Sequence, residues 1–206
     1  MTLLHYITTF DIAVFLRTVG YLGFAVIVFA ESGLLIGFFL PGDSLLFTAG
    51  FLASQHFFSI AAIMVIAFVC AVAGDSFGYA FGKKTGPRIF SRDDSWFFRR
   101  EHLTRAKSFY EIHGKKTIIL ARFMPIVRTF APILAGVGDM HYGTFLSYNI
   151  IGGFLWAIGL TGLGYVLGSR VPNIDHYLLP IVALIIFLSI LPGIIHFLRL
   201  RMRSRT

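Results

Sequence analysis

The sequence predicts an all-α integral membrane protein built as an inverted repeat. Each half holds a re-entrant helical hairpin followed by a transmembrane helix, and an extra transmembrane helix follows at the C-terminus. Of the 206 residues, 56% are hydrophobic and only 14% are charged, which is too little charge for the surface of a soluble domain. Three apolar segments are long enough to cross a bilayer. Two further apolar segments are interrupted by charges and helix breakers at equivalent places.

The uninterrupted apolar segments are residues 58–82, 144–168 and 177–198. Each holds at least the roughly 20 residues that one helical crossing needs. Residues 12–30 are also apolar, and we expect them to cross first although Arg17 interrupts them. Residues 94–113 place apolar side chains at helical spacing with basic residues on the other faces, a pattern typical of an amphipathic helix on the membrane surface. Residues 1–206 therefore form a single polytopic membrane domain.

The positions of the basic residues predict the orientation. Ten of the 18 Lys and Arg residues fall between Lys83 and Lys116, and four more follow residue 198. The positive-inside rule places both regions, and hence the C-terminus, in the cytoplasm. The net charge of +8 also attracts anionic lipid. Because no soluble domain carries this charge, we expect no nucleic-acid partner.

The two interrupted segments are predicted to be re-entrant hairpins over about residues 29–55 and 115–141. Proline removes a backbone donor and breaks a helix, and glycine permits a tight turn. Non-helical backbone at membrane depth survives only where protein or water covers it. The predicted hairpin tips are Pro41 and Gly42 in the first segment, and Pro125 and Pro132 in the second.

Two motifs recur at a fixed offset of 86 residues. Ala49-Gly50 falls on Ala135-Gly136, and the motif G-Y-x-x-G at residues 78–82 falls on residues 164–168. Each half therefore reads as an interrupted segment, an Ala-Gly pair and a span ending in G-Y-x-x-G. This shared offset indicates an internal repeat.

The repeat is predicted to be inverted because its two hairpins open to opposite sides of the membrane. The span 58–82 ends at the basic cytoplasmic loop, so the hairpin before it opens to the outside. The span 144–168 starts inside, so that 177–198 can return to a cytoplasmic tail. The second hairpin must then enter and leave on the cytoplasmic side. Hairpins that approach from opposite faces are the plan of many secondary transporters.

The charges in these hairpins indicate the chemistry. An ionised side chain at the bilayer centre costs about 2.5–3.5 kcal/mol on insertion scales, so unused charges are hard to retain. Arg122 and Arg128 offer forked donors suited to phosphate oxygens, and we expect them to bind an anionic headgroup. Glu31 and Asp43 are expected to be protonatable partners. A structural alternative is that these charges only pair across the repeat, although buried ion pairs are weak stabilisers.

The two hairpin sequences resemble a known family. ESGLLIGFFLPGDSLLFTAG (residues 31–50) and ARFMPIVRTFAPILAGVGDM (residues 121–140) look like the paired signatures of bacterial DedA membrane proteins, within the SNARE-associated or VTT-domain superfamily. The resemblance covers roughly residues 15–170.

This resemblance implies a flippase for undecaprenyl phosphate or a related anionic phospholipid in the bacterial inner membrane, and scramblase activity in eukaryotic relatives. It also implies dependence on the proton motive force. The acidic pair required in the family matches Glu31 and Asp43, and the arginine pair matches Arg122 and Arg128.

Other functions fit parts of the same sequence. A proton-coupled ion transporter or channel would use Glu31 and Asp43 as cation sites, and a structural assembly factor would need only charge pairing. A membrane-bound lipid phosphatase would need a nucleophile or metal beside the arginines. Residues 74–78 match G-x-S-x-G, but in a spanning helix small residues serve packing; Asp75 within them is a further candidate proton site. We expect no enzyme, no catalytic residue, no cofactor and no metal; an oligomer is compatible with the sequence.

Overall fold

The computed structural model describes residues 12–34, 40, 42–89, 117–122 and 125–170. Every element within these ranges is an α-helix, so the predicted all-α fold class is confirmed. In chain order the helices are α1 (Ile12–Gly33), α2 (Gly42–Ser54), α3 (Ile60–Ile89), α4 (Thr117–Ala121), α5 (Pro125–Val137) and α6 (Tyr142–Arg170).

Three of the described helices are long and apolar enough to cross a membrane, at Ala13–Gly33, Ile60–Thr85 and Tyr142–Arg170. Between 22% and 33% of the residues in their most apolar windows are buried inside the protein. Most of their apolar surface therefore faces outward, as at Leu22, which is 78% exposed, and lipid rather than water suits such a surface. The predicted crossings 12–30, 58–82 and 144–168 are confirmed as apolar helices of spanning length.

The two halves of the described chain interlock through their short helices. α2 packs along α6, and α5 packs along α3, so each short helix lies against the long helix of the opposite half. A Cβ at Gly50 would overlap the carbonyl oxygen of Thr161, and a Cβ at Gly136 would overlap that of Tyr79. Gly50 and Gly136 are related by the 86-residue offset, so equivalent glycines make equivalent close approaches. Backbone contact through small residues is how helices pack in lipid.

Tyr79, in the first G-Y-x-x-G motif, ties α3 to the second half. Its hydroxyl donates to the carbonyl oxygen of Met140, and its ring stacks on Phe145 at 4.8 Å between centroids. The neighbouring Gly82 makes room for the backbone of Ile133 in α5. These contacts make the motif a point of close helix packing.

The first hairpin begins differently from the prediction. α1 runs from Ile12 to Gly33 with one bend at Gly20, which has φ 61° and ψ −158°, a conformation open to glycine. Residues 21–33 contain no proline, so the helix continues past residue 29, where a separate hairpin was expected to start. Glu31 consequently lies in the last turn of α1. α1 contacts α2 and α4 contacts α5, as two hairpins require, while their re-entrant depth stays a prediction.

The predicted hairpin tips lie at different positions in the helices. Pro125 is the first residue of α5, where its missing N–H is not needed, and Gly42 is the first residue of α2. Pro132 was predicted at a hairpin tip, and this prediction is wrong because α5 continues through it. Its fixed φ suits a helix, and Pro132 packs beside α3 at Gly78, where a Cβ would lie in ordinary contact, 3.5 Å from the Pro132 Cβ.

Several predicted features lie outside the described residues. These are Pro41, the amphipathic helix 94–113, the crossing 177–198 and the cytoplasmic C-terminus. They stay predictions.

Candidate functional site

Arg128 joins the two halves of the protein at a buried site. It lies on α5, its Nη1 donates to Asp43 Oδ1 in the first turn of α2 at 2.8 Å, and its Nη2 donates to Glu31 Oε1 in the last turn of α1. The side chain of Arg128 is 4% exposed, that of Glu31 is 0% exposed and that of Asp43 is 19% exposed. The structure therefore brings together one predicted arginine and both predicted acids.

Glu31 also connects α1 to α2. Its Oε1 accepts a hydrogen bond from the backbone N–H of Gly42 at 3.1 Å. A Cβ at position 42 would overlap the Glu31 carboxylate, so glycine is the residue that lets the carboxylate reach the start of α2. A negative charge at a helix N-terminus is also favourable. Gly42 thus allows the Glu31 carboxylate to bind at the N-terminus of α2.

Arg122 occupies a second buried position with different partners. It lies in the turn after α4 and is 2% exposed. Its Nη2 donates to Asp75 Oδ2 on α3 and to Asn149 Oδ1 on α6. The amide nitrogen of Asn149 donates to the carbonyl oxygen of Val72 at 3.1 Å, so Asn149 makes the interhelical hydrogen bond expected of a polar residue in a spanning helix.

Trp156 was not predicted and lies at the centre of the site. Its Nε1 donates to Asp43 Oδ1 at 2.8 Å. The Cζ of Arg128 lies 4.5 Å from its ring centroid and the Cζ of Arg122 lies 5.9 Å away, within cation–π range. The available signal was its position midway along a span, because tryptophan in membrane proteins usually sits at the interfaces.

The charges of this part of the chain are paired but incompletely hydrogen-bonded. Across the described residues the site contains three carboxylates and two guanidinium groups, those of Glu31, Asp43, Asp75, Arg122 and Arg128. Among these described residues, five buried side-chain atoms have no hydrogen-bond partner: Glu31 Oε2, Asp75 Oδ1, Arg122 Nε, Arg122 Nη1 and Arg128 Nε. Such orphaned groups are costly in a buried site.

The G-x-S-x-G run lies inside α3. Ser76 Oγ donates to the carbonyl oxygen of Val72 one turn earlier at 2.8 Å, and Gly74 abuts the backbone of α1 at Phe29 and Gly33. The first is an ordinary hydrogen bond within a helix, and the second is an ordinary contact between packed helices. Among the described residues, no group of three or more His, Cys, Asp or Glu side chains is placed to hold a metal ion.

Residues 40–166, which span α2 to α6 and thus most of this site, match the VTT domain. The chain belongs to the DedA family of VTT-domain membrane proteins. It is 46% identical over 175 residues to Protein DedA of Escherichia coli K12, covering 84% of this chain and 80% of that protein.

The chain is also similar to other membrane proteins. The chain is 45% identical over 170 residues to an uncharacterized membrane protein of Mycobacterium leprae, covering 82% of this chain and 76% of the relative. It is 33% identical over 144 residues to the inner membrane protein YqjA of Escherichia coli K12, covering 70% and 66%. None of the solved structures compared matches the chain. Relatives and apolar helices together make this a multi-pass membrane protein.

Proposed function

We propose that the protein carries an anionic membrane lipid, a polyprenyl phosphate such as undecaprenyl phosphate, across the bacterial inner membrane with the help of protons. The observation that supports this most is Arg128, a buried guanidinium held between two carboxylates from the other half of the protein. Such a group is poised to exchange a carboxylate for a phosphate, because both present planar pairs of oxygens to the forked donors of arginine.

In this proposal the described conformation is the resting state. The carboxylates of Glu31 and Asp43 occupy Arg128, and a headgroup replaces them. Displaced carboxylates would be left buried without a counter-charge, which costs several kcal/mol each on the order of magnitude known for buried ions. Protonation removes that cost. Headgroup entry and proton entry are therefore linked, and Glu31 and Asp43 are the proton carriers.

The apolar tail and the charged head of a polyprenyl phosphate both suit this carrier. Only the charged head needs a path, because a prenyl tail stays in lipid beside the exposed apolar faces of α1, α3 and α6. The membrane potential acts on each moved charge with about 2.3 kcal/mol per 100 mV. With the inside negative it opposes inward movement of an anion, and protons that accompany the head offset this cost.

The proposal also covers the membrane in which the protein lies and the absence of a chemical reaction. One relative is by name an inner membrane protein, and the basic C-terminal residues favour a cytoplasmic C-terminus by the positive-inside rule. We propose transport without bond cleavage, with anionic lipid and protons as the partners.

Reconstitution tests the proposal directly. Purified protein in vesicles is assayed for movement of a short-chain polyprenyl phosphate, with Arg128→Lys as the matched variant that keeps the charge. We expect transport by the parent, and for Arg128→Lys a loss of about tenfold or more, because a point charge cannot replace the fork. Release of inorganic phosphate would instead indicate a phosphatase. Ion flux that persists without lipid movement would indicate a channel.

A further inference from the structure

Arg122 has surroundings that the proposed exchange at Arg128 does not use. Its carboxylate partner is Asp75 on α3 and its amide partner is Asn149 on α6, whereas Arg128 is held by acids on α1 and α2. The two arginines therefore have different counter-charges on different helices. Each guanidinium is a charged group with a carboxylate that a competing anion can displace.

Arg122 also has unused donors. Its Nε and Nη1 are buried and have no hydrogen-bond partner among the described residues, and neither has Asp75 Oδ1. Gly152 and Gly153 let the Arg122 side chain pack closely against α6, since a Cβ at these positions would lie 3.0 Å from Arg122 Cδ and 3.5 Å from Arg122 Cζ respectively. A buried guanidinium with two unsatisfied nitrogens has capacity for a further acceptor.

The ring of Trp156 lies next to both arginines, at 5.9 Å from the Cζ of Arg122 and 4.5 Å from that of Arg128. Trp156 is therefore a neighbour that the two guanidinium groups share. The fluorescence of Trp156 can also report binding at this place. The chain contains two tryptophans, and the Trp96→Phe variant leaves Trp156 as its only one.

We propose that Arg122, Asp75 and Asn149 form a second exchange site for a phosphate monoester headgroup, separate from the Arg128 site, in which Asp75 is the carboxylate that the headgroup displaces. This inference rests on the proposed function, since it assigns a second site for the same substrate. Asn149 keeps the guanidinium in place during the exchange because its acceptor oxygen carries no charge. One headgroup then passes between two sites. At each site the arginine pairs again with its own carboxylate once the headgroup has left.

Two neutralised proteins separate the sites, both made in the Trp96→Phe background. Glu31→Gln/Asp43→Asn/Arg128→Gln removes every charge of the Arg128 site, and Asp75→Asn/Arg122→Gln removes those of the Arg122 site. Neither leaves an uncompensated buried charge, so both are designed to fold, which gel filtration and thermal unfolding check. Farnesyl phosphate is titrated into each protein in detergent while Trp156 fluorescence is recorded.

We expect each neutralised protein to bind farnesyl phosphate, and the protein that combines both sets of substitutions to show no saturable change. Adding Asp75→Asn to the protein with the neutralised Arg128 site should tighten binding by about tenfold, because the competing carboxylate is gone. A purely structural role of Asp75 predicts no tightening. Asp75→Asn alone, which keeps all the other charges, should also bind more tightly than the parent.

Two results would overturn the inference. One is loss of binding in the protein with the neutralised Arg128 site, whether or not the other neutralised protein still binds. The other is that Asp75→Asn leaves the affinity for farnesyl phosphate unchanged or weakens it, both in the parent and in the protein with the neutralised Arg128 site. If the parent protein itself does not bind farnesyl phosphate, the proposed function fails and takes this inference with it, so the two failures are distinguishable.

Discussion

Trp156 donates its indole hydrogen to Oδ1 of Asp43 at 2.8 Å. The same carboxylate oxygen accepts from Arg128 Nη1, also at 2.8 Å. One oxygen of α2 is thus held by a residue of α6 and by a residue of α5, so the second half of the protein fixes the acid of the first half from two directions. Hydrogen bonds to a charged group are among the stronger ones in proteins.

Trp156→Phe is expected to slow lipid transport while leaving the fold intact. Phenylalanine keeps an aromatic ring beside Arg128 but removes the donor to Asp43, and the loss of a hydrogen bond to a charged group, about 1.5–3 kcal/mol, predicts at least about a tenfold loss of transport rate. The vesicle assay measures it. Phe154→Leu, on an exposed face of the same helix, is the control and should transport normally. Equal rates for Trp156→Phe and the control would show that the indole hydrogen bond has no role.

Arg128→Gln is expected to destabilise the protein more than neutralising the whole cluster does. The single substitution leaves Glu31 and Asp43 buried without their counter-charge, and breaking a buried ion pair costs about 3–5 kcal/mol. Thermal unfolding in detergent should show a large drop for Arg128→Gln and a partial recovery for Glu31→Gln/Asp43→Asn/Arg128→Gln. A triple variant less stable than the single one would mean that the three groups do not compensate one another.

Gly42→Ala is expected to disrupt the junction of α1 and α2, because the new methyl group would overlap the Glu31 carboxylate. Either the carboxylate leaves Arg128 or the start of α2 shifts. Gly159→Ala is the matched control, since nothing lies within 4 Å of a Cβ there and alanine favours a helix over glycine by about 1 kcal/mol. Thermal unfolding should separate the two variants by several degrees in opposite directions. Equal midpoints would contradict the described contact.

An imposed pH gradient is expected to speed lipid movement toward the alkaline side. Protons bound at Glu31 and Asp43 accompany the headgroup and offset its charge, so the acidic side supplies them. Glu31→Gln/Asp43→Asn should abolish the response to the gradient, because neither amide can bind a proton in this range. Vesicle transport with and without the gradient measures this. A response that survives in the double variant would place proton coupling elsewhere.

Sequence reasoning reached the general plan of the protein because that plan depends on local signals. Apolar length predicted the crossings, and the offset that relates Gly50 to Gly136 predicted the repeat, which their equivalent helix contacts bear out. The meeting of Arg128 with Glu31 and Asp43 followed from placing two hairpins on opposite faces. These inferences needed only periodicity, charge and small-residue spacing.

The details that escaped sequence reasoning depend on tertiary packing. Pro132 predicts a helix break, yet α5 continues through it and packs against α3 at Gly78. Trp156 lies outside both hairpins and enters the site only because α6 packs against α2 of the opposite half. No local pattern specifies which carboxylate pairs with Arg122, since three were available.

Proton uptake on headgroup binding tests the central claim most directly. Calorimetric titration of the parent protein with farnesyl phosphate, in two buffers of different ionisation enthalpy, counts the protons that accompany binding, at a pH well above the second phosphate ionisation at about 6. The account predicts net proton uptake by the parent and a smaller uptake by Glu31→Gln/Asp43→Asn, because displaced carboxylates become protonated and only Asp75 of the three then remains. Binding by the parent without any proton uptake would contradict the exchange of carboxylate for phosphate at Arg128.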